Sequence, residues 1–170
     1  SLTGYENQGP VRVGSSIGDI TAGLFTTIGI QSALIRRNIT KKGSYIDISM
    51  LDCQIAILEN AVSRYFCEKK IPKKIGSRHP SIAPFECFKC KDDYIAIAAG
   101  NDVLFEKLCH ATSSNNLLEL EYFKTNDMRL KNIEKLKSML EKVFKKRKAS
   151  YWLLQLDLFG VPVAKLNNIK

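Results

Sequence analysis

A chain of 170 residues, 45% hydrophobic and 25% charged, carries enough apolar material for one ordinary core or two small ones and too little charge for disorder. Its apolar runs fall short of the roughly 20 residues that a membrane-spanning helix needs. The start, Ser1-Leu2-Thr3-Gly4-Tyr5-Glu6-Asn7, has neither a basic nor an apolar leader segment, so a folded chain of the cytoplasm or a mitochondrial matrix, with no membrane partner, is expected.

Residues 1–18 are rich in Gly, Ser, Asn and Pro, as loops are, with Val11-Arg12-Val13 a possible short strand. From Ile20 to about Arg37, Ile20, Leu24, Ile28 and Ile35 recur at helical spacing while Ala22, Gly23, Gly29 and Ala33 leave room for close packing; a helix buried on two sides is expected. Thr40 to Ser44 is a turn, and Tyr45-Ile46-Asp47-Ile48-Ser49-Met50 alternates with the period of a strand. Residues 51–70 read as one helix with Ile55, Leu58, Val62 and Phe66 on a face, ended by Pro72. After the Gly- and Pro-rich stretch 76–84, Phe85–Lys89 and Tyr94–Ala98 read as a hairpin turning at Asp92-Asp93. Helices are expected over 103–111, 129–145 and 150–159, the middle one presenting Leu130, Ile133, Leu136, Leu140, Val143 and Phe144 on one face.

The formal net charge of +9 raises the question of nucleic acid, but the cations are scattered. The densest run, Lys145-Lys146-Arg147-Lys148, closes a helical pattern, where cations offset the C-terminal dipole and face water, so no nucleic-acid partner is expected. The five cysteines are odd in number and lie in apolar or regularly patterned stretches, which favours a reducing compartment. Cys87 and Cys90 have the spacing of a metal or redox pair, yet no second pair or nearby His completes a tetrahedral set, and no metal is expected.

Asp19 stands where a Gly-rich loop becomes a helix, in Val13-Gly14-Ser15-Ser16-Ile17-Gly18-Asp19-Ile20. One reading is a helix N-cap, whose carboxylate accepts from the first free N–H groups. The other is a reactive carboxylate: a helix N-terminus favours the ionised form, and Gly18 lets a bulky ligand approach the backbone.

The run Arg12-Val13-Gly14-Ser15-Ser16-Ile17-Gly18-Asp19-Ile20-Thr21-Ala22-Gly23-Leu24, followed by Gly29-Ile30, Ala33-Leu34, Arg37, Thr40, Gly43 and Ile46-Asp47-Ile48-Ser49-Met50-Leu51-Asp52, resembles the central signature of class III CoA-transferases. Gly76-Ser77-Arg78-His79-Pro80-Ser81-Ile82-Ala83-Pro84-Phe85 and Tyr94 to Asp102 resemble the family's small-domain entry, and Gly160-Val161-Pro162-Val163 its return segment. The similarity is greatest to the succinyl-CoA-dependent dicarboxylate branch, which includes glutarate CoA-transferases.

The resemblance implies an α/β fold: part of a nucleotide-binding-like large domain over 1–50, a helical linker over 51–75, a small α/β domain over 76–148 and a return segment over 149–170. It implies that Asp19 attacks an acyl-CoA thioester and passes through a mixed anhydride and an aspartyl-CoA thioester. Gly76, Ser77, Arg78 and His79 are carried over as substrate-loop residues; as isolated residues, Arg78 could equally be a surface cation and His79 a turn residue. Coenzyme A enters as a thioester substrate, with no tightly bound cofactor, and the partners implied are acyl-CoA, a carboxylic acid and a second copy of the chain in an interlocked homodimer. Two departures stand out: Thr40-Lys41-Lys42-Gly43-Ser44 where the family usually has Thr-Gly-Lys-Gly-Gln, and Asp92-Asp93 where Asp-Gly is usual. The alternatives are an α-methylacyl-CoA racemase of the same family, whose His should lie upstream of Asp19 where neither His79 nor His110 stands, and an inactive fragment acting as a binding module.

Overall fold

The computed structural model describes residues 2–169; Ser1 and Lys170, the outer ends of the expected first and last segments, lie outside them. The chain divides into two compact units, Ser1–Gly76 and Ser77–Lys170.

The first unit is built on α1, Ile17–Thr40, followed by α2, Met50–Ala56, and α3, Asn60–Glu68. Gly29 lets the extended segment after α1 come close: a Cβ there would stand 3.3 Å from Ile46 Cγ2 and 3.4 Å from Ile48 Cδ1. Alternation is therefore real over 45–49, with Ile46 and Ile48 half-buried and Tyr45, Asp47 and Ser49 exposed. The expected strand does not form, and neither does the one at Val11–Val13, because no described segment of this unit supplies a ladder partner. An alternating pattern specifies extended backbone; only a second strand makes it a sheet.

The expected helix over 51–70 is two. Glu59 takes φ 51°, a region unfavourable to side chains with a Cβ, and the helical ladder breaks between Ala56 and Asn60. Ser49 starts α2 by accepting from the N–H of Asp52 at 3.2 Å. Burial in this unit is sparse: Thr21, Cys53 and Ala61 are buried, while Leu24 and Ile35 on α1 stay 60% and 65% exposed. The expectation that α1 is covered on two sides is not met by the described residues.

The second unit has the larger core. β1 (Phe85–Lys89), β2 (Tyr94–Ala98) and β3 (Val163–Lys165) form an antiparallel sheet in the order β1-β2-β3, with Phe85 opposite Ala98, Lys89 opposite Tyr94 and Ala96 opposite Ala164. α4 (Asp102–Ala111), α5 (Asn126–Lys131), α6 (Ile133–Phe144) and α7 (Ala149–Leu158) complete the unit, with short 3-10 turns at Asn115–Leu117 and Glu121–Phe123 that the sequence patterns do not announce. Inward residues of the hairpin, Phe88, Ile95 and Ile97, pack with Phe105, Leu108, Leu136, Leu140, Phe144, Trp152 and Leu156. Full burial of one such side chain stabilises by about 1.5–3 kcal/mol. Trp152 also satisfies its indole N–H by donating to Phe144 O at 2.8 Å.

The expected helix over 129–145 is interrupted at Asn132, whose side-chain amide donates to Met128 O at 2.9 Å at the end of α5. The stretch read as a linker, 51–75, lies in the first unit, and most of the stretch read as a return segment is α7 and β3 of the second. Mixed helix and strand is the class observed, as expected.

Turn chemistry explains the Asp92-Asp93 departure. Neither residue has a positive φ, so the turn needs no glycine. Asp92 Oδ1 accepts from Asp93 N at 3.0 Å and from Ala149 N at 2.8 Å, while Asp93 Oδ1 accepts from Tyr94 N at 2.8 Å. The second of these bonds caps α7 from across the sheet end, since Lys148, the residue before that helix, makes no side-chain cap.

Candidate functional site

Asp19 is the third residue of α1, not its cap. The helix starts earlier than the apolar rhythm suggests because Ile17 N donates to Ser15 O at 2.9 Å and Ile20 N to Ser16 O at 3.0 Å, which draws Gly18 and Asp19 into the first turn. Ser16 occupies the cap position without a side-chain cap bond. The Asp19 side chain is exposed, and among the described residues no hydrogen bond or ion pair engages its carboxylate. The N–H groups of Gly18 and Asp19 likewise have no acceptor among the described residues.

Two neighbours shape this turn. Thr21 is buried and its hydroxyl donates to Ile17 O at 2.8 Å, so the turn is pinned on its inner side. Gly18 faces Gln54 of α2, whose amide carbon would lie 3.2 Å from a Cβ at that position. A carboxylate on the first turn of a 24-residue helix sits at the positive end of its dipole, where the ionised form is favoured and free N–H groups can receive a second anion.

The carried-over loop residues fall in two places. Gly76 belongs to the first unit, where its N–H donates to Gly4 O at 2.9 Å; at φ 68° a Cβ would stand 2.5 Å from the Tyr5 ring, so only glycine fits. Ser77, Arg78 and His79 belong to the second unit and run along the outer edge of β1. Ser77 Oγ accepts from Cys87 N at 3.1 Å, and His79 N donates to Phe85 O at 2.8 Å. The His79 ring stacks on Phe85 with centroids 5.2 Å apart, and its Nδ1 accepts from Ser81 N at 3.1 Å, which places the ring proton of the neutral form on Nε2. His79 therefore does the work of a turn residue. Arg78 Nη1 donates to Glu134 Oε1 on α6 at 2.6 Å, its side chain 23% exposed against 78% for the glutamate.

Beside this segment lies a pair that residue-by-residue reading passes over. Glu86 on β1 is buried, and its Oε2 accepts from Lys137 Nζ of α6, while Oε1 has no hydrogen-bond partner among the described residues. Burial raises its carboxyl above the ordinary range, opposed by the bond to Lys137, the charge of Lys137 and that of Arg78. Its signal in the sequence is a charged residue at the inward register of an alternating strand, two positions before Phe88.

Neither thiol of the Cys87–Cys90 pair is bonded to another cysteine. Burial, with Asp92 and Asp93 nearby, pushes the Cys90 thiol up to about 11, which makes it a poor ligand or nucleophile. No group of three or more metal-ligating side chains assembles among the described residues, and none of their helices is long and apolar enough to cross a membrane.

Similarity to known proteins shows the family. The profile of CoA-transferase family III matches residues 1–170. The acetyl-CoA:oxalate CoA-transferase of Acetobacter aceti is 39% identical over 168 residues, which are 98% of this chain and 43% of the relative. Human succinyl-CoA:glutarate CoA-transferase is 36% identical over 169 residues, 99% of this chain and 39% of the relative. A crystallised CaiB/BaiF family protein of Brucella suis superposes with a TM-score of 0.81 at 38% identity, over 99% of this chain and 44% of that one. The chain thus spans about two fifths of the length of these relatives. Matched by the family's profile over residues 1–170 and, at 38% identity, by a solved member over 99% of its length, the chain belongs to CoA-transferase family III.

Proposed function

We propose that the protein containing this chain transfers coenzyme A between carboxylic acids with Asp19 as the covalent nucleophile. The observation that carries the reading is an exposed carboxylate, unengaged by any described residue, on the first turn of α1 beside the unengaged N–H groups of Gly18 and Asp19. An Asp19 oxygen attacks the thioester carbonyl of the acyl-CoA donor; the C–S bond breaks and CoA leaves as the thiolate. The thiolate then attacks the carboxyl carbon of Asp19 in the mixed anhydride, freeing the donor acid and leaving an aspartyl-CoA thioester. The acceptor carboxylate repeats these two steps in reverse, which yields the new acyl-CoA and restores Asp19. Each step exchanges one acyl bond for another, so nothing is oxidised, and the anhydride must be kept from water while it lasts because water would hydrolyse it.

Charge on the tetrahedral oxygen develops next to the α1 N-terminus, where the Gly18 and Asp19 N–H groups are placed to receive it. The names of the relatives support an acyl donor such as succinyl-CoA or acetyl-CoA and a dicarboxylic acceptor. Coenzyme A is a substrate and no cofactor is held. A homodimer is the assembly we expect of the whole protein, and a cytoplasmic or matrix setting suits cysteines that are all unpaired. The racemase reading has less support, since the relatives described above carry transferase names.

The test is mass spectrometry of the longest natural form of the protein, wild type and Asp19→Ala, after mixing with succinyl-CoA and trapping with hydroxylamine. A hydroxamate at Asp19 in the wild type alone is expected. No adduct in a form that binds CoA would return Asp19 to a structural role, and α-carbon deuterium exchange without an acceptor acid would favour the racemase.

A further inference from the structure

Gln54 reaches the turn that carries Asp19. It stands on α2, yet its carboxamide fills the space that Gly18 leaves by having no side chain: Cδ and Nε2 lie 3.2 Å, and Oε1 3.4 Å, from the position a Gly18 Cβ would take. Its hydrogen bonding is almost unused. Nε2 donates to Met50 O at the long distance of 3.5 Å, which engages one of the two amide protons, and Oε1 has no donor among the described residues. The residue is exposed, so a ligand at the Asp19 turn has access to it.

The distances define what the second amide proton can do. A residue's nitrogen lies roughly 2.5 Å from its own Cβ position, so Gln54 Nε2 and the Gly18 nitrogen are at most about 5.7 Å apart. Two N–H donors share one oxygen when each is about 2.9 Å from it, which they reach at any separation up to about 5.8 Å. An oxygen held between these two stands next to the residue whose carboxylate attacks. A carboxamide also suits the position because it is neutral: it stabilises an oxyanion without the ion pair by which a Lys or Arg would hold the Asp19 carboxylate.

We propose that Gln54 is a further catalytic residue, its Nε2–H joining the N–H of Gly18 on the oxygen that becomes negative when Asp19 attacks the thioester carbonyl. This rests on the reading of Asp19 as the nucleophile. No bond is made or broken at Gln54. As the Asp19 oxygen adds to the carbonyl carbon, the electron pair of the C=O bond moves onto the carbonyl oxygen, where the two N–H groups receive it; it returns when the C–S bond breaks and CoA leaves as the thiolate. Gly18 serves the same end, since a Cβ there would crowd the carboxamide out of this place.

The experiment uses the longest natural form of the protein with succinyl-CoA and whichever of oxalate or glutarate turns over faster, comparing the wild type with Gln54→Ala and Gln54→Glu. Gln54→Ala is expected to lower kcat about 10²-fold with both KM values within about threefold, the effect of removing one side-chain donor from a tetrahedral oxyanion. Gln54→Glu keeps the shape and the contact with Gly18 but sets a negative charge against the oxyanion, so its kcat at neutral pH should be no higher than that of Gln54→Ala. As pH falls and the new carboxyl gains a proton to donate, it should rise relative to Gln54→Ala at the same pH. A residue that only packs gives the reverse order: a kcat for Gln54→Glu above that of Gln54→Ala at neutral pH, or a kcat for Gln54→Ala within about threefold of the wild type, would overturn the assignment.

Should Gln54→Ala fail to fold, Gln54→Glu is compared with the wild type instead, and a kcat within about threefold of it would overturn the assignment. The rate at which the Asp19 hydroxamate forms is followed in every protein and should fall with kcat. If it forms at the same rate in the wild type and in Gln54→Glu, this proposal fails alone; if it does not form in a wild type that binds CoA, the reading of Asp19 as the nucleophile fails and this proposal with it.

Discussion

The guanidinium of Arg129 is completely buried, yet its Nη2 lies 2.6 Å from Oδ1 of Asp102, a side chain 67% exposed on the first residue of α4. The same guanidinium donates from Nε to Ala83 O at 2.7 Å and from Nη1 to Phe123 O at 3.0 Å, with its carbon 4.5 Å from the centre of the Phe105 ring. One arginine thus joins the residues before β1, the second 3-10 turn and the start of α4.

Removing either partner should therefore have unequal effects. Arg129→Met leaves the buried carbonyls of Ala83 and Phe123 without their donor and should cost about 3–5 kcal/mol, as breaking a buried charged network does. Asp102→Asn, whose carboxylate water already screens, should cost roughly 1 kcal/mol or less. Urea unfolding followed by tryptophan fluorescence measures both; equal midpoints would show that Arg129 is not the keystone.

Glu86 predicts an unusual pH dependence. Its carboxyl is raised by burial, so the folded state binds the proton more tightly than the unfolded chain does. That contribution to stability is fully present below the ordinary value of 4.5 and is lost as pH rises through the higher folded value. Glu86→Gln, neutral at every pH, should equal or exceed the wild type in Tm at neutral pH, and this advantage should shrink on acidification. A Tm difference independent of pH would mean that burial does not perturb the group.

The opposite sign is expected at the hairpin turn. The bond donated by Ala149 N holds the Asp92 carboxyl below its usual 3.8, so its contribution is present above that value and is lost as pH falls through the lowered one. Asp92→Ala should lower Tm at neutral pH by uncapping α7, and the two proteins should converge in strong acid. Hydrogen exchange at the N–H of Ala149 gives a local check, since it should accelerate in the variant while that of Leu104, capped by Asn101 at 2.9 Å, should not.

Thiol chemistry should separate the cysteines by burial. Cys109 and Cys90 are pushed up by burial to about 12 and about 11, whereas Cys67 is exposed on α3. Brief treatment with iodoacetamide at neutral pH should alkylate Cys67 first and leave Cys90 and Cys109 unmodified until the protein is unfolded. Early modification of Cys90 in the folded protein would contradict the packing described for the end of β1.

Much of the fold was legible locally. The hairpin strands run over the residues that alternation marks, because a short turn and a two-residue period leave little freedom of register. α4 and α7 each begin one residue before the expected start, a difference set by capping: the side chain of Asn101 caps α4, and that of Asp92, distant in sequence, caps α7. The breaks at Glu59 and Asn132 escaped the reading, since the apolar rhythm runs on through both and neither position holds a glycine or proline.

At the candidate site, the position of Asp19 was marked by its Gly-rich loop and by the family resemblance, and its place inside the first turn came from two backbone bonds that no side-chain pattern encodes. Ser77, Arg78 and His79 could be named as a loop, but not that their bonds run along β1.

The sequence by itself determined the hairpin strands and most of the helical stretches and singled out Asp19 as the candidate carboxylate, because these follow from spacing, turn chemistry and a recognisable run around Gly18-Asp19. Only the tertiary structure decided that residues 45–49 stay extended without a ladder, that Arg129 is buried among three carbonyls and an aspartate, and that Glu86 lies open-ended beside Lys137 and Arg78. Each of these depends on a partner distant in sequence, and pairing at a distance is fixed by packing and charge in three dimensions, which a one-dimensional pattern does not carry.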